Sequence, residues 1–214
     1  MVQAQPKSYA MMRNQFVEWS QFASENDWAS EALREGSWED KQVPERCVAI
    51  HYVIDKDAKM IVKKLYVVTW SPKYKQMFKD LNLAWVEQFF KVEENDIRQL
   101  DYPEENIIKP GGQIFFLLDD NKVAGTVAMV VHHGECELAK MNVADGYQGM
   151  GYSHLLMREG IDWARKGGYP EIAILTAVRL SKAVALYKNY GFEVVRLGKH
   201  PDYDRCDIIM RLKL

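Results

Sequence analysis

The chain has few cysteines, no long apolar run and no large excess of either charge. Its 214 residues include 3 Cys, and the separations of Cys47, Cys136 and Cys206 match neither a disulfide framework nor a zinc-binding spacing. We therefore expect a reducing, cytoplasmic location. No segment approaches the ~18 consecutive apolar residues of a membrane span, and residues 1–13 lack the basic and then apolar pattern of a secretion signal.

The overall charge argues against nucleic acid as a partner. A formal net charge of −2 and a sequence pI near 6.2 give no overall nucleic-acid signature. The adjacent His132 and His133 would point to opposite faces of a strand and make a poor pair of metal ligands. We therefore expect no nucleic-acid partner, no membrane and no metal.

A glycine-rich segment, Val143–Ser153, lies between a predicted strand and a predicted helix. The free N–H groups and positive dipole end of a helix N-terminus favour anions, and glycine lets the backbone approach them closely. The chain contains no Gly-x-x-x-x-Gly-Lys-Ser/Thr run, so it has no P-loop. Gly149 and Gly151 begin a dinucleotide fingerprint, but His154 occupies the position of its third glycine. The segment is thus either a different phosphate loop or an ordinary strand-to-helix turn.

A second motif follows further along the chain. Ala183, Leu186, Tyr187 and Tyr190 have the spacing of one helix face. We predict Ser181 as the N-cap of this helix and Gly191 as its C′ residue.

The two motifs together resemble those of the GNAT superfamily of acetyl-CoA-dependent N-acyltransferases. Gln148–Ser153 is similar to the pyrophosphate loop Gln/Arg-x-x-Gly-x-Gly/Ala, with Ser153 in place of the usual small apolar residue. Ala183–Phe192 is similar to the last conserved block, although Leu180 replaces the Asn that often precedes it. The resemblance extends over roughly residues 63–214 and also includes a first helix, a central hairpin and a closing strand: Met77–Phe90, Gln113–Leu118 with Lys122–Val131, and Arg205–Leu214.

This resemblance implies a fold and an activity. The expected fold class is α/β, with a mixed sheet in a GNAT-like acyltransferase fold and an N-terminal helix-plus-strand extension. We assign residues 1–60 to the extension, whose role in packing, in a homodimer face or in covering the cleft stays open, and residues 61–214 to the domain. The expected reaction transfers the acetyl group of acetyl-CoA to a primary amine of a small molecule or peptide, by direct attack in a ternary complex. The alternative is a regulatory module that binds acyl-CoA with little or no turnover.

The transfer requires a deprotonated amine, a stabilised oxyanion in the tetrahedral intermediate, and protonation of the thiolate that leaves. The resemblance assigns the acid role to Tyr187. Glu137 is our candidate base, with Glu135 and His133 as competitors. Strand alternation predicts that Glu137, Ala139, Met141 and Val143 share one face.

The resemblance also implies a set of residues that hold the cofactor. The oxyanion would be bound by a strand N–H near Asn142 or Val143, where members of the family splay two strands apart. Gln148 would serve as a neutral substitute for arginine in the loop. Specificity would come from Met77–Pro110 and Arg196–Arg205, where Tyr203 and Asp204 could meet a cationic amine. The predicted cofactor-binding residues are Met141, Asn142, Val143, Gln148, Gly149, Met150, Gly151, Tyr152, Ser153 and His154.

The rest of the chain gives a coarse series of elements. We predict a helix over Tyr9–Leu33 and then a hairpin of Cys47–Ile54 with Met60–Trp70. A helical region should begin at Ser71-Pro72 and end before Pro103. After the glycine-rich segment we predict a helix, Gly151–Lys166, and a strand, Glu171–Val178.

Overall fold

The computed structural model describes residues 16–18, 45–54, 60–201 and 203–214, with side chains at 64–201 and 203–214. Within these residues the strands are β1 Phe16–Glu18, β2 Glu45–Ile54, β3 Met60–Thr69, β4 Gln113–Asp119, β5 Lys122–His132, β6 Glu135–Val143, β7 Glu171–Thr176, β8 Glu193–Leu197 and β9 Ile208–Lys213. The α-helices are α1 Lys75–Phe89, α2 Glu94–Asp101, α3 Tyr152–Lys166 and α4 Ser181–Asn189. A 3-10 turn, Pro72–Tyr74, precedes α1, and a π-helical turn, Glu104–Ile108, follows α2.

All the described strands belong to one sheet in the order β1-β2-β3-β4-β5-β6-β7-β9-β8. The neighbours are antiparallel except β6 and β7, which run parallel and are joined through α3. Parallel neighbours need such a crossover because a hairpin would reverse the chain direction. By contrast, β4 and β5 are joined by Asp120-Asn121, both with positive φ, as a two-residue type I′ hairpin loop requires. The mixed α/β sheet confirms the predicted fold class.

The central part of the sheet is buried on both faces. Alternate side chains of β4 pack into two different hydrophobic clusters, one on each face. Ile114, Phe116 and Leu118 pack in the cluster that includes Phe78 of α1, whereas Phe115 and Leu117 pack in the cluster on the side of α3 and α4. This period of two is the pattern that a strand imposes on its side chains. Helices therefore cover both faces of the central strands, and the site must lie at an edge or gap of the sheet.

A bulge in β6 changes the faces of its side chains. Its register against β5 shifts between Thr126 and Ala128, and Lys140 has a φ of 50°. Ala139 consequently packs on the α1 side, whereas Met141 and Val143 pack with the α3 cluster. The prediction that Met141 and Val143 share a face with Glu137 and Ala139 is wrong, because the bulge inserts a residue that regular alternation does not count.

Most predicted element boundaries are confirmed within a few residues, and two of these predictions need correction. The predicted helix Tyr9–Leu33 is wrong at Phe16–Glu18, which pairs as β1 with β2 and there gains strand hydrogen bonds that override helix periodicity. The rest of that predicted helix lies outside the described residues. The helical region predicted from Ser71-Pro72 to before Pro103 is confirmed and consists of the 3-10 turn, α1 and α2. Ser181 is the first residue of α4, and the N-cap is Leu180 without a side-chain cap.

One buried carboxylate connects three separate parts of the fold. Asp96 lies in the first turn of α2, where it accepts a hydrogen bond from the Glu93 N–H at 3.2 Å. It also pairs with Lys140 of the β6 bulge at 2.8 Å and with both terminal nitrogens of Arg205, in the loop between β8 and β9. The Asp96 side chain is 0% exposed. Burial alone would raise the pKa of Asp96, but Arg205 and Lys140 hold it at about 2.

Replacing this carboxylate should strongly destabilise the fold. In Asp96→Ala, Lys140 and Arg205 would stay buried without their counter-charge, and we expect the free energy of unfolding to fall by about 3–5 kcal/mol. The matched control is Asp101→Ala, which removes a more exposed partner of Lys79 and should cost at most about 1 kcal/mol. Urea denaturation of the full chain measures both losses, and equal losses would contradict the structural role of Asp96.

Candidate active site

A cavity of about 170 Å³ opens where β6 separates from β7. The two strands pair only at Cys136 with Ile172 and at Glu137 with Ala173. Beyond that point β6 stays with β5 and β7 stays with β9. The cavity is lined from both strands, α1, α2, α4 and the loop before β9; its polar or aromatic lining includes Asn82, Trp85, Phe90, Gln99, Glu137, Lys140, Tyr187, Tyr203 and Arg205. The strand separation that the family resemblance implied is confirmed.

Glu137 lies at the point of separation and lines the cavity. It follows Cys136, which is buried in the core on the α3 side, so its own side chain leaves the opposite face of β6. Burial raises the pKa of Glu137 to about 7, against the opposing charges of Lys140 and Arg205. A carboxyl that titrates near neutral pH can both accept and release a proton under physiological conditions.

Tyr187 reaches the same cavity from α4. Its ring packs in the core with Phe192, the centroids 6.2 Å apart, and the residue is 8% exposed. Burial raises the pKa of Tyr187 to about 12, so its hydroxyl is protonated at neutral pH. The structure thus brings together the two predicted catalytic residues, which are far apart in sequence.

The glycine-rich segment forms an open backbone cradle at the start of α3. Gly146, Gly149 and Gly151 have φ of 86°, 76° and 79°, and a Cβ added at Gly146 or Gly149 would meet nothing within 4 Å. Gly151 is the N-cap of α3, which has no side-chain cap and no acidic residue in its first turn. The positive end of the helix therefore faces the cradle without an acidic side chain in its own first turn, which suits an anion such as the pyrophosphate of coenzyme A.

The predicted cofactor residues occupy different environments around this cradle. Gln148 donates to Val143 O at 3.5 Å and to Asp145 at 3.2 Å, so its side chain braces the loop against the end of β6. His154 is exposed, and its Nδ1 lies 3.0 Å from the hydroxyl of Tyr190. Met150 is partly buried against the core, whereas Ser153 is partly exposed in the first turn of α3.

Tyr152 differs from the other members of that set. It is 1% exposed, and its hydroxyl donates to Asp119 at 2.6 Å on the core side of the sheet. Burial and Asp119 raise the pKa of Tyr152. Only the backbone of Tyr152 remains as a contributor to the cradle, because its aromatic ring is committed to the core.

The competing candidates lie elsewhere. Glu135 is exposed and pairs with Arg211 at 3.3 Å, and His133 is exposed in the turn between β5 and β6. Neither lines the cavity. Lys182 and Lys188 are exposed on α4. Asp204 is exposed and pairs with Lys199 at 2.7 Å, so of the two predicted wall residues Tyr203 lines the cavity and Asp204 does not.

The two predicted specificity regions meet over the cavity. Asn95 of α2 donates to the Tyr203 hydroxyl, and Glu93 accepts from the backbone N–H of Arg205 at 3.4 Å. Arg179 lies over the ring of Phe90, 3.9 Å from its centroid. The end of α1, the start of α2 and the loop before β9 are therefore joined into one wall.

Sequence reasoning did not identify the buried charges in this wall. Lys140 is the one charged residue in the second half of β6, Leu138–Val143, and it is a signal that could have pointed to this network. Asp96 and Arg205 gave no local signal, because their pairing joins residues 109 positions apart. Asn82 was also missed; its side chain donates to Phe78 O at 2.8 Å and to Thr126 at 3.3 Å, and it fixes α1 against β5.

Three further findings bear on the chemistry. Cys206 lines the cavity, but burial raises its pKa, so the thiolate needed for a covalent route is disfavoured. Within the described residues, no three His, Cys, Asp or Glu side chains are grouped to hold a metal ion. No helix in the described part of the chain has the length and apolar character to cross a membrane.

Comparison with known proteins agrees with this geometry. Residues 74–192 match the profile of the acetyltransferase (GNAT) family. A probable N-acetyltransferase 14 from Xenopus tropicalis is 32% identical over 78 residues, which are 36% of this chain and 38% of that protein.

Solved structures share the fold at low sequence identity. A GNAT-family acetyltransferase from Staphylococcus aureus Mu50 has a TM-score of 0.63 and 20% identity, covering 70% of this chain and 99% of that one. The PaiA N-acetyltransferase of Thermoplasma acidophilum, solved in complex with coenzyme A, has a TM-score of 0.55 and 15% identity, covering 70% and 99%. The resemblance carried by Gln148–Ser153 and Ala183–Phe192 is confirmed, and the chain belongs to the acetyltransferase (GNAT) family.

Proposed function

We propose that the chain transfers the acetyl group of acetyl-CoA to a primary amine of a small molecule or peptide, by direct attack in a ternary complex. The observation that supports this most strongly is that Glu137 and Tyr187 line one cavity at the separation of β6 and β7. Strand β6 carries Glu137 and leads directly into the glycine-rich segment. One strand therefore joins the proposed base to the cofactor cradle, and Tyr187 reaches the same cavity from α4.

Acetyl-CoA, when bound, supplies the acetyl group as a thioester with a thiolate leaving group. The backbone of Gln148–His154 would hold its pyrophosphate, and the free edge of Met141–Val143 would pair with its amide-containing arm. The N–H of Ala144 donates to Ala124 O at 2.9 Å, toward β5. Because successive peptide groups of a strand point to opposite edges, the N–H of Val143 faces the gap, where it can stabilise negative charge on the acetyl oxygen.

Glu137 is the proposed base. An alkylammonium group has a pKa near ~10.4 and cannot attack until it loses a proton. The carboxylate of Glu137, with a pKa of about 7, accepts that proton directly or through a water molecule. Glu137 lines the same cavity as Trp85, Phe90 and Tyr203, and we assign this cavity to the acceptor amine.

Tyr187 is the proposed donor to the leaving group. Its pKa of about 12 lies above the ~8.5 of a free thiol, so complete transfer of the phenolic proton to sulfur would be unfavourable. We therefore assign Tyr187 Oη as a hydrogen-bond donor to the sulfur, with partial proton transfer as charge develops. The presence of both this donor and the base favours turnover over a module that only binds acyl-CoA.

Removal of the Tyr187 hydroxyl should slow the reaction but leave cofactor binding intact. For Tyr187→Phe we expect kcat to fall by about 10²-fold or more, while calorimetry gives an unchanged affinity for acetyl-CoA. Tyr169→Phe is the control, because Tyr169 stacks on Trp163 outside the cavity. Thiol release with a panel of primary amines measures the rates, and wild-type activity in Tyr187→Phe would exclude the assigned role.

The base assignment predicts a particular pH profile. Because Glu137 acts in its ionised form, kcat/KM of the wild type should rise with pH through about 7. Glu137→Gln should lower kcat/KM by about 10²-fold or more and remove that limb, whereas Glu135→Gln should retain both rate and limb. A limb that persists in Glu137→Gln at a similar midpoint would show that another group is the base.

A further inference from the structure

We propose that Lys140 is a positioning residue for Glu137. Asp96 forms ion pairs with both Lys140 and Arg205, and these pairs hold Lys140 in the cavity that Glu137 lines. This inference rests on the proposed function, because it assigns Lys140 a role in that same proton transfer. Lys140 fixes the strand bend that opens the cavity, and its charge helps to keep Glu137 ionised. It does not need to touch the acceptor amine.

The backbone of Lys140 is held in a conformation that lysine rarely adopts. Its φ of 50° is left-handed, and such residues persist where the surroundings over-determine them. Three contacts do so here. The Lys140 O accepts from the Thr126 hydroxyl at 3.0 Å, Thr126 in turn accepts from Asn82, and Lys140 Nζ pairs with Asp96 at 2.8 Å.

The neighbouring Asn142 fixes the far side of the bend. Its side-chain amide donates to Leu81 O in α1 at 2.6 Å. The bulge is thus attached to β5, α1 and α2 at once, and the strand edge that faces the gap cannot relax back toward β7. This attachment holds the carboxylate of Glu137, only three residues earlier, at the mouth of the separation.

Counted without the partly exposed Glu93, the charges of Lys140, Arg205 and Asp96 balance when Glu137 is ionised. Lys140 and Arg205 contribute two positive charges, and Asp96, whose side chain is fully buried, contributes one negative charge. Glu137 supplies the second negative charge. The side chains of Lys140 and Arg205 are only 7% and 17% exposed, so water screens their positive charges weakly. These charges therefore favour the carboxylate form of Glu137.

Other titratable groups also face this region and modulate the balance. They come from the N-cap of α2, from α4 and from the loop before β9: Glu93, Tyr187, Tyr203 and Cys206. Burial raises the pKa of Tyr187, Tyr203 and Cys206, so all three are neutral near pH 7. Among the described cavity-lining residues, the positive charges near Glu137 come from Lys140 and Arg205.

The test is the titration of the Glu137 carboxyl by NMR in the full chain with ¹³C-labelled glutamate. The Glu137 signal is identified by its loss in Glu137→Gln. We expect a midpoint near 7 in the wild type and an upward shift on the order of one pH unit in Lys140→Met, because the mutation removes a nearby positive charge. Lys140→Arg keeps the charge and should restore the midpoint.

Two further variants test whether the shift of the Glu137 midpoint comes from the lost charge. One controls for backbone strain at position 140, and the other controls for the loss of a surface charge elsewhere. Lys140→Gly removes the charge but tolerates positive φ, so it should shift the midpoint as Lys140→Met does, even if Lys140→Met does not fold. Lys109→Met removes an exposed partner of Glu105 and should leave the midpoint unchanged. An unshifted midpoint in a folded Lys140→Gly or Lys140→Met protein would overturn the proposal and reduce Lys140 to a structural role.

Activity provides a second readout that tests the two proposals separately. In Lys140→Gly, the rising limb of kcat/KM should move to higher pH by the same amount as the NMR midpoint of Glu137. The KM for acetyl-CoA should be unchanged. If the wild type releases no thiol with any amine, the proposed function is overturned. If the NMR midpoint of Glu137 nevertheless shifts in Lys140→Gly, the electrostatic coupling between Lys140 and Glu137 is still supported. Wild-type turnover with an unmoved limb would overturn the role of Lys140 alone.

Discussion

The site depends on the early separation of β6 from β7. The two strands share only two residue pairs, after which each is held by its other neighbour, and the gap between them exposes strand edges to a ligand. A parallel pair that continued to Val143 would fill this space with its own hydrogen bonds. The bulge at Lys140 lies just beyond this point of separation, and it turns Met141 and Val143 toward the α3 side in the last residues of β6 before the glycine-rich segment.

A group of buried charges lies beside Glu137, the proposed base. Isolated buried charges are costly, and they persist when paired and hydrogen-bonded. Asp96 satisfies this condition with contacts to Glu93, Lys140 and Arg205. These contacts also join α2, β6 and the loop before β9, so one network sets the electrostatics around the proposed base and the shape of the cavity wall.

Much of the fold and part of the site could be predicted from local patterns. Gly149, Gly151 and Tyr187 belong to short motifs that resemble those of the family, and the structure places them at the cradle and at the cavity. Lys140, Asp96 and Arg205 could not be linked in advance, since their pairing arises from tertiary contacts between distant segments. Strand alternation did not predict the face of Met141, because the bulge in β6 depends on the pairing with β5. The burial of Tyr152 was not predicted either, because its hydroxyl donates to Asp119, which is distant in sequence.

The central claim is that the cradle and the gap between β6 and β7 together hold acetyl-CoA. Calorimetric titration of the full chain with acetyl-CoA, and in parallel with NADH, tests it most directly. The account predicts saturable binding of one acetyl-CoA per chain and no binding of NADH, since His154 replaces the glycine that a dinucleotide loop requires. Absence of acetyl-CoA binding, or equal binding of NADH, would contradict the account.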